Sequence, residues 1–330
     1  MKSIAEYVQS GISTLTELED ALQTAMQLEF STIPPYLCAQ WSINSNSDPS
    51  NVDGLIQNIV IQEMLHFALA GNMLNAIGRT PSIANAAFIP RYPTHTLPGG
   101  IHLRHEVDLK PLTQAQLEVF EEIENPEFPP VALTLTKRPA TIGAFYDAIA
   151  AGFDEVQPSI NPQAHFVTIT EMAPPFGPIS NPKNGQILTL ADAQAAITRI
   201  KQEGEGTRGD PDQPPDDVAS DQTFAHYYVF KEISEGKTLQ RQPNGHWAFN
   251  GAAITFPTIF LFAKSTITPD PSAAFNQQLA TLLTELQTCW TAGAQPSFGD
   301  MDDLQAAGVA LIQQRIQPGF RWPASARWPL

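Results

Sequence analysis

The sequence predicts an all-α protein with a four-helix bundle core, a long insertion of loop and strand, and a C-terminal α+β extension. Two features predict this class. Apolar residues recur at spacings of three and four in several long segments, which is the pattern of helices that bury one face. Between residues 80 and 130 the prolines multiply, and one short segment alternates apolar and polar side chains, which indicates a strand within a loop-rich insertion.

The first helix of the predicted core carries Leu22 and Met26 on its apolar stripe and follows Ser13 and Thr14, which are candidate N-caps. Its pattern continues into a Pro-Pro pair at 34–35. Each proline removes an amide donor and leaves a carbonyl unpaired one turn earlier. We therefore expect a kink at this point of the helix.

The remaining elements follow from the same periodicities and from turns rich in Gly and Pro. In chain order we predict a helix at 52–76 that ends at Gly78, a strand at 101–109, helices at 142–149, 190–203 and 221–234, a loop at 204–220, an extended turn at 245–251, and helices at 272–291 and 301–316. We divide the chain into a helical bundle at 1–235, with its insertion at 80–138, and an extension at 236–330 that is expected to pack on the bundle.

Composition narrows the range of partners. With 18 Lys and Arg against 34 Asp and Glu, the formal net charge is −16, which repels nucleic-acid phosphates and anionic bilayers, so neither is expected as a partner. The 2 cysteines are too few for a disulfide framework or a cysteine zinc site. The N-terminus does not resemble a signal peptide, and no apolar stretch reaches the ~20 residues of a membrane span. We expect a soluble, cytoplasmic protein.

Glu63 and His66 stand three residues apart in a strongly apolar helix, so both side chains leave the same face. Bundle proteins that bind two iron or manganese ions combine such Glu-x-x-His pairs with single glutamates from other helices. Glu29 is a candidate single glutamate, because it lies beside the buried stripe of the first helix. There an unpaired carboxylate is costly or takes up a proton, and a cation would remove that cost. The alternative is a surface pair or a hydrogen-bonded core histidine.

Two further side chains are candidate ligands. Glu203 ends a predicted helix, where the helix dipole disfavours a carboxylate unless a cation is near; the alternative is a solvated acid beside Gly204. His226 lies between Phe224 and Tyr227, and its alternative is a packed histidine that donates to a backbone carbonyl. The residues alone leave these alternatives open.

Several blocks of the sequence carry a family resemblance. The two most specific regions are LEFSTIPPYL at 28–37, and EMLH at 63–66 followed by NMLNAIG at 72–78. They resemble the ferritin-like domain of the iminophenyl-pyruvate dimer synthase family, to which chromopyrrolate-forming and violacein-pathway enzymes belong. Shorter matches at 141–146, 203–206, 225–228 and 247–251 extend the resemblance over most of the chain.

The resemblance implies a ferritin-like four-helix bundle with inward carboxylate and histidine ligands. It also implies oxidative chemistry on amino-acid-derived imines in secondary metabolism. The named enzymes are longer than this chain of 330 residues and are described as haem-dependent, whereas this chain matches their ferritin-like portion. Their substrate is therefore not carried over.

The chain also departs from the family pattern, in which a Glu often stands at the positions of Ala144 and Thr223. Without those two, the expected ligands are Glu29, Glu63, His66, Glu203 and His226. A dinuclear site of this type uses about six ligands. We therefore predict a single non-haem metal ion, with iron as the first choice and manganese or copper as alternatives.

Two functions are consistent with these residues. The first is a metal-dependent oxidase or oxygenase of secondary metabolism that acts, with dioxygen or peroxide, on a small amino-acid-derived or aromatic substrate. The second is a non-catalytic scaffold or binding protein whose metal site has degenerated, as the departures at Ala144 and Thr223 would allow. A homo-oligomer is consistent with either function.

Overall fold

The structure, a computed structural model, describes residues 2–126, 141–167, 185–204, 224–294 and 298–323. Within these ranges the helices are α1 Ile4–Ser10, α2 Leu15–Trp41, α3 Val52–Ala76, α4 Gln114–Ile123, α5 Ile142–Val156, α6 Leu190–Glu203, α7 His226–Glu235, α8 Ala273–Ala292 and α9 Phe298–Gln313. The strands are β1 Thr94–Leu97, β2 Ile101–Val107, β3 Lys237–Arg241 and β4 Trp247–Ala253, paired as two antiparallel hairpins. The predicted helical class is confirmed.

The long helices α2 and α3 pack against each other and begin at the residues that local capping dictates. The Thr14 hydroxyl accepts the Glu17 amide at 3.2 Å, so α2 starts directly after a predicted cap. The Asp48 carboxylate accepts the amides of Val52 and Asp53 at 2.9 and 2.8 Å, which satisfies two of the free donors at the start of α3. The bounds of α3 coincide with the predicted 52–76.

Helix α2 continues through Pro34 and Pro35 to Trp41. Because Pro35 has no amide hydrogen, it cannot bond the carbonyl of Ser31 one turn earlier. The hydroxyl of Tyr92, which precedes β1, donates to that carbonyl at 2.7 Å. The insertion thus replaces a hydrogen bond that the helix cannot make for itself.

Removing this hydroxyl by Tyr92→Phe is expected to lower the free energy of unfolding by about 1–3 kcal/mol, because a buried carbonyl would lose its donor. Urea denaturation measures the difference. Tyr227→Phe is the matched control, since Tyr227 is half-buried like Tyr92 but no hydrogen bond joins its hydroxyl to a described residue. Equal stabilities of the two variants would show that the Tyr92 hydroxyl contributes nothing to α2.

The rest of the bundle consists of two pairs of shorter helices. Helix α4 packs on α7, α5 packs on α6, α2 contacts α5, and α3 contacts both α6 and α7. A backbone hydrogen bond of 3.0 Å from the His226 amide to the Gly204 carbonyl joins the start of α7 to the end of α6. These contacts place α5 with α6 as one pair and α4 with α7 as another, both packed against α2 and α3.

The insertion contains more regular structure than the sequence predicts. The predicted strand at 101–109 is β2, which ends at Val107 and pairs with β1. The prediction of a single strand and otherwise loop was wrong, because residues 114–123 form α4. Thr113 caps this helix by accepting the Gln116 amide at 3.1 Å. Its ten residues are too few for a strong periodic signal between prolines.

Helices α8 and α9 pack on each other, α8 against α3 and α9 against α2. They match the predicted helices at 272–291 and 301–316 to within three residues. Residues 205–223 lie outside the described part of the chain, and with them Thr223, most of the predicted loop at 204–220 and the start of the predicted helix at 221–234. Over the part described, no helix combines the length and apolar character needed to cross a bilayer.

Candidate metal centre

Three of the predicted ligands meet inside the bundle. Glu29 of α2 and the pair Glu63 and His66 of α3 are all buried. His66 Nδ1 lies 3.6 Å from Glu29 Oε2 and 3.6 Å from Glu63 Oε1. Each of the three residues offers a ligand atom within 4.8 Å of the other two, so one cation could contact all of them.

A second group shares Glu63 with the first. It adds Glu124, directly after α4, and His226, the first residue of α7. His226 Nδ1 lies 2.9 Å from Glu63 Oε1 and 3.6 Å from Glu124 Oε2. The rings of His66 and His226 are stacked with their centroids 5.6 Å apart. Two adjacent three-residue groups are therefore joined through the Glu63 carboxylate.

The other nitrogen of each histidine is held by an oxygen outside these groups. His66 Nε2 lies 2.9 Å from Glu203 Oε2, and Arg199 pairs with the other oxygen of Glu203 at 2.6 Å. His226 Nε2 lies 3.0 Å from the amide oxygen of Gln62. When Nε2 carries the hydrogen of these bonds, the lone pair of Nδ1 faces the carboxylates. Metal-binding histidines are commonly oriented by such a partner on the second nitrogen.

The carboxylates of Glu29, Glu63 and Glu124 each have one oxygen that accepts a hydrogen bond from a hydroxyl group. Tyr146 of α5 donates to Glu29 Oε1 at 2.5 Å, Thr32 of α2 to Glu63 Oε2 at 2.5 Å, and Tyr36 of α2 to Glu124 Oε1 at 2.6 Å. The remaining oxygens are those that face the histidines. The carboxylates are thus fixed in orientation with one oxygen directed inward.

The carboxylates shift the acid–base equilibria of the histidines. Burial lowers the pKa of His226, but Glu124 and Glu63 outweigh burial and raise that pKa to about 9. Burial also opposes charge on His66, yet its contacts with carboxylates, that of Glu203 first, raise its pKa well above the ordinary value. In a metal-free site, protons on the two imidazoles therefore supply the positive charge that the carboxylates require.

The donor atoms fit a metal ion. His226 Nδ1 is buried and makes no well-directed hydrogen bond with any residue that the structure describes, although Glu63 Oε1 is 2.9 Å away. A cation placed between these atoms would satisfy the nitrogen lone pair together with the carboxylate oxygens. Imidazole nitrogen and carboxylate oxygen are donors that iron and manganese accept.

The structure brings the five sequence-predicted residues into one cluster, but not in equal positions. Glu29, Glu63, His66 and His226 belong to the two groups, whereas Glu203 lies against the outer nitrogen of His66. Ala144 is buried in the first turn of α5. Thr223 lies outside the described residues.

Sequence reasoning missed Glu124. Its segment was assigned to the insertion, where a run of acids normally marks a solvated face. A signal was nevertheless present, because Thr113 and Gln116 have the spacing of a capping box, and Phe120 and Ile123 mark a short apolar stripe. Glu124 follows that stripe directly, at the point where α4 meets the bundle.

Comparison with known proteins agrees with this architecture. A protein-family model described as ferritin-like matches residues 22–235. A crystal structure of a ferritin-like protein from Caulobacter vibrioides is similar in fold over 94% of this chain and 99% of its own, with a TM-score of 0.66 and 23% sequence identity. The sequence matches no curated protein. Because the family model covers more than half of the chain, from within α2 to the end of α7, the protein belongs to the ferritin-like family.

Proposed function

We propose that the protein binds two metal ions at the centre of its bundle and acts with dioxygen or peroxide as an oxidase or oxygenase. One observation carries this proposal: two three-residue groups of inward donors share Glu63. A carboxylate shared between two ions, with one histidine for each, is the arrangement of dinuclear sites in helical bundles. The expectation of a single ion rested on five ligands, and Glu124 supplies a further carboxylate.

Iron is the metal we favour, with manganese as the nearest alternative. The donors are carboxylate oxygens with one imidazole nitrogen in each group, and soft thiolate ligands are missing from both groups. Such donors suit iron and manganese, while copper usually selects more nitrogen or sulfur. A bound pair of these ions would supply electrons for reducing dioxygen or peroxide as a substrate is oxidised.

The protein's own side chains orient the centre and limit access to it. The hydroxyls of Thr32, Tyr36 and Tyr146 keep the outer carboxylate oxygens in place, so little reorganisation is needed when ions bind. A cavity of about 20 Å³ adjoins the ligands, and its apolar walls include Leu28 and Ile200. That volume accommodates a molecule of the size of water or dioxygen.

We place the organic substrate among small amino-acid-derived or aromatic molecules of secondary metabolism. The support is the sequence resemblance at 28–37 and 63–66, which includes three of the inward ligands. Oxygen uptake tests the activity. Iron-loaded protein supplied with a reductant, or with an aromatic amino-acid-derived imine, should consume dioxygen. Protein that holds iron but consumes none would favour the scaffold function instead.

The number of ions tests the proposed centre directly. Elemental analysis of purified, iron-loaded protein should give about two ions per chain. Glu124→Gln should give about one, because Glu29, Glu63 and His66 remain as one group. The control is Glu122→Gln, two residues earlier in the sequence. The Glu122 carboxylate lies 2.7 Å from His105 Nδ1 and belongs to neither ligand group. A metal content of one ion per chain in the wild type and in both variants would contradict the dinuclear proposal and support a mononuclear site.

A further inference from the structure

A second cavity, of about 100 Å³, lies on the opposite side of α2 and α3 from the helices that complete the metal centre. Helices α2 and α3 form one wall, and α8 and α9 form much of the other. Its lining includes Phe30, Met64, Phe67, Leu283, Trp290 and Leu304. Protein interiors are close-packed, so a cavity of this size between helices is a distinct feature.

The described lining is chemically uniform. Every lining side chain is aliphatic, aromatic or a thioether. The one indole N–H, that of Trp290, already donates to Asn72 Oδ1 at 2.8 Å. The ring of Trp290 meets Phe67 edge to face at a centroid distance of 6.0 Å. A water molecule needs two to four polar partners, which these side chains do not provide, so the cavity favours an apolar occupant.

The cavity shares a wall with the metal centre but none of its ligands. Phe30, Met64 and Phe67 each line the cavity and each follows, by one residue, a member of the first ligand group. Successive residues of a helix point about 100° apart. The same stretches of α2 and α3 therefore present ligands to the bundle interior and apolar side chains to this cavity.

The entrance lies where the lining reaches the surface. Leu282 and Leu286 on α8 and Met301 on α9 are half-buried, whereas Leu283 and Leu304 beside them are buried. A small molecule that enters between α8 and α9 would leave water at the half-buried side chains. It would then reach the aromatic rings of Phe67 and Trp290.

We propose that this cavity is a binding site for a small uncharged apolar molecule, about the size of one aromatic ring, separate from the metal centre. An engineered cavity of ~150 Å³ with the same kind of lining, leucine, isoleucine and phenylalanine, stays dry and binds benzene or xenon. The chemistry of the lining excludes a charged group on the bound molecule, because a buried charge would have no partner.

Calorimetric titration with benzene, and with benzoate as its charged counterpart, tests the site. Wild-type protein should bind benzene and not benzoate. Leu304→Trp, which fills the interior, and Leu282→Trp, which fills the half-exposed entrance, should each abolish benzene binding. Leu261→Trp, on an exposed leucine outside the lining, should bind as the wild type does.

Two outcomes would overturn the proposal: no benzene binding by the wild type, or equal binding by the two filled variants and the Leu261→Trp control. The Leu282→Trp variant keeps the test valid if Leu304→Trp does not fold. Glu124→Gln, which changes the metal centre, should bind benzene as tightly as the wild type does. Loss of benzene binding in that variant would show that the two sites are not separate.

Discussion

Replacement of Glu63 by glutamine is expected to abolish binding of both metal ions, the largest effect of any single change in this protein. Glu63 Oε1 faces both His66 and His226, at 3.6 and 2.9 Å, and Glu63 belongs to both ligand groups. Glutamine has nearly the same shape but no negative charge, and its amide cannot bridge two cations as a carboxylate does. The metal content measured by elemental analysis should fall from about two ions per chain to none.

The comparison with single-group variants makes this prediction specific. Glu29→Gln changes only the first group and Glu124→Gln only the second, so each should retain about one ion. Circular dichroism checks that all three variants keep the helical fold. If Glu63→Gln retained as much metal as Glu29→Gln, Glu63 would not be shared and the dinuclear proposal would fail.

Removal of the metal is expected to destabilise the fold by several kcal/mol. The buried carboxylates of Glu29, Glu63 and Glu124 are close together, and without cations they depend on protons for compensation. A ligand that binds only the folded state stabilises it by about 4 kcal/mol at a free concentration a thousandfold above its Kd. Urea denaturation of metal-loaded and chelator-treated protein should show a difference of this order.

The Glu63→Gln variant is the control for metal removal. Since it should hold no metal, chelator should leave its unfolding curve unchanged, and a shift would indicate an effect of the chelator elsewhere. Identical stability of the loaded and chelated wild-type protein would mean that metal binding is not coupled to folding. The scaffold function would then gain support over the oxidase.

Three residues of the centre come from the ends of the shorter helices. Glu124 follows the last residue of α4, Glu203 is the last residue of α6, and His226 is the first residue of α7. At a helix end the backbone is free of the regular repeat, so a side chain can be directed inward without displacing a packed neighbour. The two long helices α2 and α3 supply the remaining ligands from regular backbone.

Local sequence determined part of this site. The spacing of Glu63 and His66 places both on one face of any helix, and the position of Glu29 beside an apolar stripe indicates burial. The same periodicity predicted α3 and α6 at their observed bounds, because both helices bury a continuous apolar face. These inferences need only the geometry of a single helix.

Tertiary structure alone decided which buried groups meet. Glu124 is separated from Glu63 by 61 positions in the sequence, and it joins the centre because α4 packs on α7 and α7 on α3. Docking of separate elements also accounts for the hydrogen bonds that Tyr36 and Tyr146 donate to the carboxylates. It accounts equally for the cavity between α2, α3, α8 and α9, and for the bond from Tyr92 to the Ser31 carbonyl. Periodicity reports which face of a helix is buried, but the partners on that face are set by long-range packing, which no local spacing encodes.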